Sequence, residues 1–360
     1  MSTRVVARAR ARRVLWPAAR IAVVVLVAAL VAWRVDWASV REAFRLERWG
    51  FVLLAVSANF ASVVFKGVAW KGVIDGLPTL QRRVRVRDLL SPLLVGFLFN
   101  TVLAARVGEI VKVLLARRRL TRRGESVRST VLLGTVVAEN LVSTIAWVAF
   151  VFVIGTFLPL PSYAWITATV LGAGALAVVV VALLRSPGQQ LPPWLDTGPL
   201  WARATRAVAR LWGAVRESHL GLRDPRQMGI VAVPSLMTWL AQWAGIYCTL
   251  LAFGLGEVGW GGAGLLLVTV TLAQIFPVLP GNLVVFQAAA VVPLTASYGV
   301  GAADAIAFSI VLQGTEVIVG VAIGFLFLLV EGVSFRDLRR EAEAETHMAT
   351  DAPVDTLGGP

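Results

Sequence analysis

Residues 89–116 read LLSPLLVGFLFNTVLAARVGEIVKVLLA. The segment is apolar enough to enter a bilayer, yet it carries Asn100, Arg106, Glu109 and Lys112. Charges at membrane depth are costly and face protein or water rather than lipid. Arginines flank the segment on both sides: Arg82, Arg83, Arg85 and Arg87 before it, and Arg117, Arg118, Arg119, Arg122, Arg123 and Arg128 after it. Because Lys/Arg-rich loops are retained in the cytoplasm, both ends are expected there. One straight span cannot satisfy that. The chain is predicted to enter, turn near Asn100–Arg106 and leave on the side it entered. Such a re-entrant hairpin is tolerated only where its turn is buried in protein or lines a wet cavity. Its polar tip is the expected functional centre.

The rest of the chain supports a membrane reading. It has 360 residues, 58% of them hydrophobic, and a net charge of +13. Mean hydropathy is +0.77. Several apolar runs approach the roughly 20 residues needed to cross a bilayer. The arginines concentrate in loops and the N-terminal tail, a pattern of membrane topology and anionic headgroups rather than of nucleic-acid binding. Cys248 is the only cysteine, so no intrachain disulfide forms. His219 and His347 are the only histidines, and both fall outside the apolar runs. No metal site and no cofactor is expected, and the chain has no GxxxxGK[ST] nucleotide loop.

Working outward gives an all-α polytopic protein. Residues 1–13 form a basic tail and 14–33 a first span. Residues 34–48 lie outside, and 49–70 return inward, with Lys66 snorkelling near the inner end. After the hairpin, 129–157 runs out with Glu139-Asn140 at depth, 158–162 turns, and 163–184 returns. The arginine-rich loop that follows contains a helix at 199–220. Its apolar face includes Trp201 and Trp212, and its basic face Arg203, Arg206 and Arg210. That is the pattern of a helix lying on an anionic leaflet, or of one packed on loop ends. Residues 228–254 run out again. Residues 263–299 are broken by PVLPGN, which no single helix accommodates, and 303–330 form the last span before a tail at 332–360. The arginines at 336–340 place the C-terminus inside, as the basic tail places the N-terminus. Residues 263–299 must then enter and leave from outside. The expected architecture is about six full spans plus two oppositely oriented re-entrant hairpins at 89–116 and 263–299, with inverted-repeat logic, all within a 14–331 membrane domain.

At NTVLAARVGEIVK and PVLPGNLVVFQAAAV the chain resembles the membrane region of lysylphosphatidylglycerol synthetases and their stand-alone flippase-like relatives. The Asn…Arg-x-Gly-Glu pattern falls on Asn100, Arg106, Gly108 and Glu109, with Lys112 at a usually basic position. The Pro-Gly turn falls on Pro280-Gly281. Where the family often has Glu-Arg this chain has Glu139-Asn140, and where its second loop is glycine-rich with a following Glu this chain has Asn282 and Gln287. The aminoacyl-transfer domain is missing. The resemblance implies lipid translocation rather than lysine transfer.

Two half-helix N-termini, near Arg106 and Asn282, are expected to point at one cavity with Arg106 and Lys112. That arrangement would receive an anionic headgroup. Glu109, Glu139 and Glu316 would balance the charge. Gln313 and Glu316, three residues apart, either serve substrate or tie helices. Gln274, Asn282 and Gln287 either meet substrate or satisfy the broken backbone, and the Pro280-Gly281 turn lies beside them at the same site. The expected function is a flippase-like transporter of an anionic membrane lipid, a phospholipid or polyprenyl-phosphate carrier, in the cell membrane, with no catalytic residues. Two alternatives stand beside it: an intramembrane polyprenyl-pyrophosphate phosphatase, and a non-transporting partner of cell-envelope enzymes.

Overall fold

The structure, a computed structural model, describes residues 37–43, 48–102, 107–157, 160, 162–184, 225–275 and 283–332. The predicted span at 14–33, the surface helix at 199–220 with Trp201, Arg203, Arg206, Arg210 and Trp212, and both tails lie outside these residues, apart from Gly332. So do Arg106, Pro280, Gly281 and Asn282.

All regular structure among the described residues is helical. The elements are α1 (Trp37–Ala43), α2 (Trp49–Asp75), α3 (Val86–Val102), α4 (Val107–Arg122), α5 (Ser129–Phe157), α6 (Ser162–Leu184), α7 (Pro225–Ala252), α8 (Gly259–Ile275), α9 (Leu283–Tyr298), α10 (Ala302–Val317) and α11 (Gly324–Glu331). A π-helical stretch, Ile318–Ile323, joins α10 and α11 into one continuous rod. Five helices are long and apolar enough to cross a membrane: 49–75, 129–157, 226–252, 256–274 and 302–331. Large apolar side chains stand on their outer faces, among them Leu53, Phe152, Val153, Val233 and Leu326. A lipid environment, not water, accommodates such a surface.

Two ends of the bundle are defined by which residues meet. At the arginine-rich end, Arg123 pairs with Asp88 at 2.6 Å. Arg119 pairs with Glu331 at 2.6 Å, and Ser91 donates to the same carboxylate at 2.6 Å. Gln227 Nε2 donates to Gly72 O at this end. At the opposite end, Trp165 lies against Gly155, Tyr298 against Gly262, and Tyr247 stacks on Trp260 with centroids 4.1 Å apart. α2 and α5 are antiparallel, through Trp70 Nε1 to Thr135 Oγ1 at 2.9 Å and Lys66 to Glu139 at 3.0 Å. α7 runs antiparallel to α2, with Thr238 facing Ser62.

α3 with α4, and α8 with α9, each form an antiparallel helix pair, and residues 256–274 in the second pair are by themselves long and apolar enough to cross a membrane. In the first, α3 and α4 meet at their base through Arg123–Asp88 and near their tip through Gly108 N to Asn100 Oδ1 at 2.9 Å. Local chemistry fixes both ends of the pair. Asp88, in the first turn of α3, accepts from Arg85 N at 3.2 Å, half of a capping box. Beyond α4, Gly124 takes φ +83 while Glu125 N bonds Leu120 O and Gly124 N bonds Thr121 O, a Schellman stop. The arms therefore run longer than 89–116, from Val86 to Arg122. In the second pair, Thr269 Oγ1 of α8 donates to Ala289 O of α9 at 2.8 Å.

Two apolar clusters sandwich the middle. One, toward the arginine-rich end, holds Trp70, Ile74, Leu89, Leu93, Leu120 and Leu132. The other, toward the opposite end, holds Trp147, Phe150, Leu250, Leu266, Phe286 and Phe308. Between them lies a polar layer.

Candidate functional site

The polar layer is built from α2, α5 and the tip of the first hairpin. Asn100, near the end of α3, performs two tasks. Its Oδ1 accepts the backbone N–H of Gly108, an otherwise open donor in the first turn of α4. Its Nδ2 donates to Glu109 Oε1 at 3.2 Å. Glu109 Oε2 lies 2.6 Å from Lys112 Nζ, an ion pair off hydrogen-bond geometry, since that oxygen has no hydrogen-bond partner among the described residues. Lys112, whose side chain is 4% exposed, also sits over the Trp70 ring, 5.3 Å from its centroid. Asn100, Glu109 and Lys112 are thus brought together as expected.

Gly108 is there for space. A Cβ on it would fall 2.0 Å from Gly96 O and 2.6 Å from Asn100 Oδ1. The two arms touch backbone to backbone at this point, which only glycine permits.

A second charge pair completes the layer. Lys66 Nζ lies 3.0 Å from both oxygens of Glu139 and 3.2 Å from Asn140 Oδ1. Glu139 is almost fully buried. Lys66 also lies within electrostatic reach of Glu109. The expectation that Lys66 snorkels to the inner surface is therefore corrected. The span does not end at Trp70 but continues to Asp75, which puts Lys66 nine residues, about 14 Å, from the helix end. At that depth an ammonium needs a carboxylate rather than a headgroup. The sequence pattern noted Lys66 and Asn140 without joining them to the hairpin tip, and it gave Trp70 no place in the layer. The one available signal was a lysine inside a 27-residue apolar helix.

The remaining predicted residues lie along the last helix. Gln287 Nε2 of α9 donates to Gln313 Oε1 of α10 at 2.7 Å. Gln274 Nε2, at the end of α8, reaches Glu316 Oε2 at 3.5 Å. Gln313 and Glu316 thus contact the two arms of the second hairpin from the last rod. The first hairpin meets the same rod from the other direction. Gly324 lies so close to α3 that a Cβ there would sit 2.6 Å from Leu94 O, and Gly320 faces Thr101 and Phe97. The ends of α3 and α8 thus flank residues 313–320, the middle of a 30-residue helix. The π-helical stretch begins there, a distortion frequently found at functional sites. Among the described residues no cluster of His, Cys, Asp and Glu could hold a metal ion.

A family model described as "Lysylphosphatidylglycerol synthase TM region" matches residues 18–324. No curated protein and no solved structure matches the chain.

Proposed function

The chain belongs to the lysylphosphatidylglycerol synthase TM-region family, and from that premise we propose that it carries an anionic amphiphilic lipid across the cell membrane. The headgroup passes through the polar layer while the tails stay in the bilayer. The observation that carries this reading is the pair of ion pairs, Lys66–Glu139 between two membrane-length apolar helices and Glu109–Lys112 at the start of the second arm of the first hairpin. Intramembrane charges are expensive and are usually functional.

The charge balance favours an anion. Lys66, Lys112, Glu109 and Glu139 sum to zero, and Arg106 precedes the first residue of α4, Val107. Arginine adds one positive charge and a planar fork suited to phosphate. The N-terminus of α4 adds roughly half a charge of the same sign. The arginine-rich end faces the cytoplasm in this reading, the hairpins are re-entrant, and the lipid is moved without chemical change.

Native mass spectrometry of the purified protein tests the reading. Wild type is expected to retain phosphatidylglycerol over phosphatidylcholine. Arg106→Lys keeps folding and loses most of that preference, and Arg106→Ala loses it entirely. Recovery of anionic-lipid binding in Arg106→Ala/Glu109→Ala would overturn the role given to Arg106.

A further inference from the structure

Asn140 is an exposed carboxamide on a membrane-crossing helix. It lies eleven residues from Ser129, about 16 Å along α5. A polar group with only hydrocarbon beside it is disfavoured at that depth. The groups beneath it are mostly buried, apart from Glu109, whose side chain is 30% exposed. Lys66, which donates to Asn140 Oδ1, is 18% exposed, Glu139 is 2% exposed, and Lys112 is 4% exposed. Lys66 also acts electrostatically on Glu109 at the hairpin tip. Asn140, Lys66 and Glu139 therefore form a polar seam between α2 and α5 that begins at an exposed position. If the Lys66–Glu139 tie served packing alone, Glu139 would suffice as the partner and an apolar residue would fit position 140. Asn140 instead adds a polar group on the lipid side.

We propose that the Lys66–Asn140 seam between α2 and α5 is a lateral doorway through which an anionic headgroup passes from the bilayer into the polar layer. The proposal rests on the translocation reading. An ammonium has three donors. Lys66 spends them on the two Glu139 oxygens and on Asn140 Oδ1. An anionic headgroup oxygen that displaces Asn140 Oδ1 replaces a neutral acceptor by a charged one, and charge-assisted hydrogen bonds are roughly twice as strong. The Glu139 pair is kept, so no buried carboxylate is stranded. Asn140 holds the place that the headgroup takes, and the flexible lysine stem follows it inward.

The test blocks the doorway reversibly in protein that is already folded. In a Cys248→Ser background, Asn140→Cys is reconstituted into phosphatidylcholine vesicles and modified with a benzyl methanethiosulfonate. Transbilayer movement of a short-chain fluorescent phosphatidylglycerol is read by albumin back-extraction. The modification is expected to slow movement at least tenfold, and dithiothreitol to restore it. The same modification at Val153→Cys, a lipid-exposed position on the same helix, is expected to change nothing. Binding of soluble glycerol 3-phosphate to modified Asn140→Cys in detergent should be unaffected, because that anion does not enter from the bilayer. Unchanged lipid movement in modified Asn140→Cys overturns the doorway while leaving translocation intact. Absence of movement in the Cys248→Ser background itself overturns the translocation reading and the doorway with it.

Discussion

Gly108→Ala isolates the contact that holds the first hairpin together. The added methyl would fall 2.0 Å from Gly96 O and 2.6 Å from Asn100 Oδ1. An ordinary C···O approach is about 3.3–3.6 Å, so the two arms must part by more than about 1 Å. Overpacking of this kind costs about 1–3 kcal/mol. Parting the arms also loses the bond from Gly108 N to Asn100 Oδ1, a cap-like interaction contributing about 1 kcal/mol. Together the loss is about 2–4 kcal/mol. Gly314→Ala is the matched control, because its Cβ would meet nothing within 4 Å inside the continuous helix 302–331. It should be neutral or stabilising by up to about 1 kcal/mol from helix propensity. The assay is thermal unfolding in detergent followed by the monodisperse fraction on size exclusion. Gly108→Ala should unfold well below wild type and Gly314→Ala at or above it. Equal behaviour of the two variants would show that the arms do not touch at Gly96 and Gly108.

Further outcomes follow from the same contacts. Lys66→Met strands Glu139 and should cost about 3–5 kcal/mol, whereas Lys66→Met/Glu139→Leu should recover most of it; a single variant as stable as wild type would refute the pair. Gly324→Ala should destabilise by about 1–3 kcal/mol, because its Cβ would meet Leu94 O at 2.6 Å, and an unchanged unfolding temperature would contradict the close approach of α3 to α11. In a Cys248→Ser background, cysteines at positions 87 and 119 should label from the same side of the membrane. Labelling from opposite sides would make the first hairpin two crossings rather than one re-entrant pair.

Much of the helical layout was legible because hydropathy and arginine placement are strong signals in a membrane chain. The break near Asn100–Arg106 was visible as polar residues inside an apolar run, and α3 and α4 do end and begin on either side of it. The full length of the arms was not, because Asp88 and the Gly124 turn extend the hairpin into charged sequence that hydropathy assigns to loops. Asn100, Glu109 and Lys112 were legible as a group because they lie close in sequence on one hairpin. Lys66 was not, because its partner Glu139 is 73 residues away and no local pattern joins them. The resemblance points to a cation at position 140, where this chain has Asn. Lys66, on another helix, sets its ammonium 3.2 Å from Asn140 Oδ1, a contact that a linear reading does not detect. Gln313 and Glu316 were open between two roles, and their contacts with Gln287 and Gln274 of the second hairpin lie too far apart in sequence to be read from a local pattern.

The central claim is that the polar layer passes an anionic headgroup. The most direct measurement is transbilayer movement of fluorescent phosphatidylglycerol and phosphatidylcholine in vesicles holding wild type or Glu109→Gln/Lys112→Met. Wild type is expected to move phosphatidylglycerol, chemically unchanged, faster than phosphatidylcholine, and the double variant, correctly folded, to lose this movement. Equal rates for both lipids, or full movement in the double variant, would contradict it.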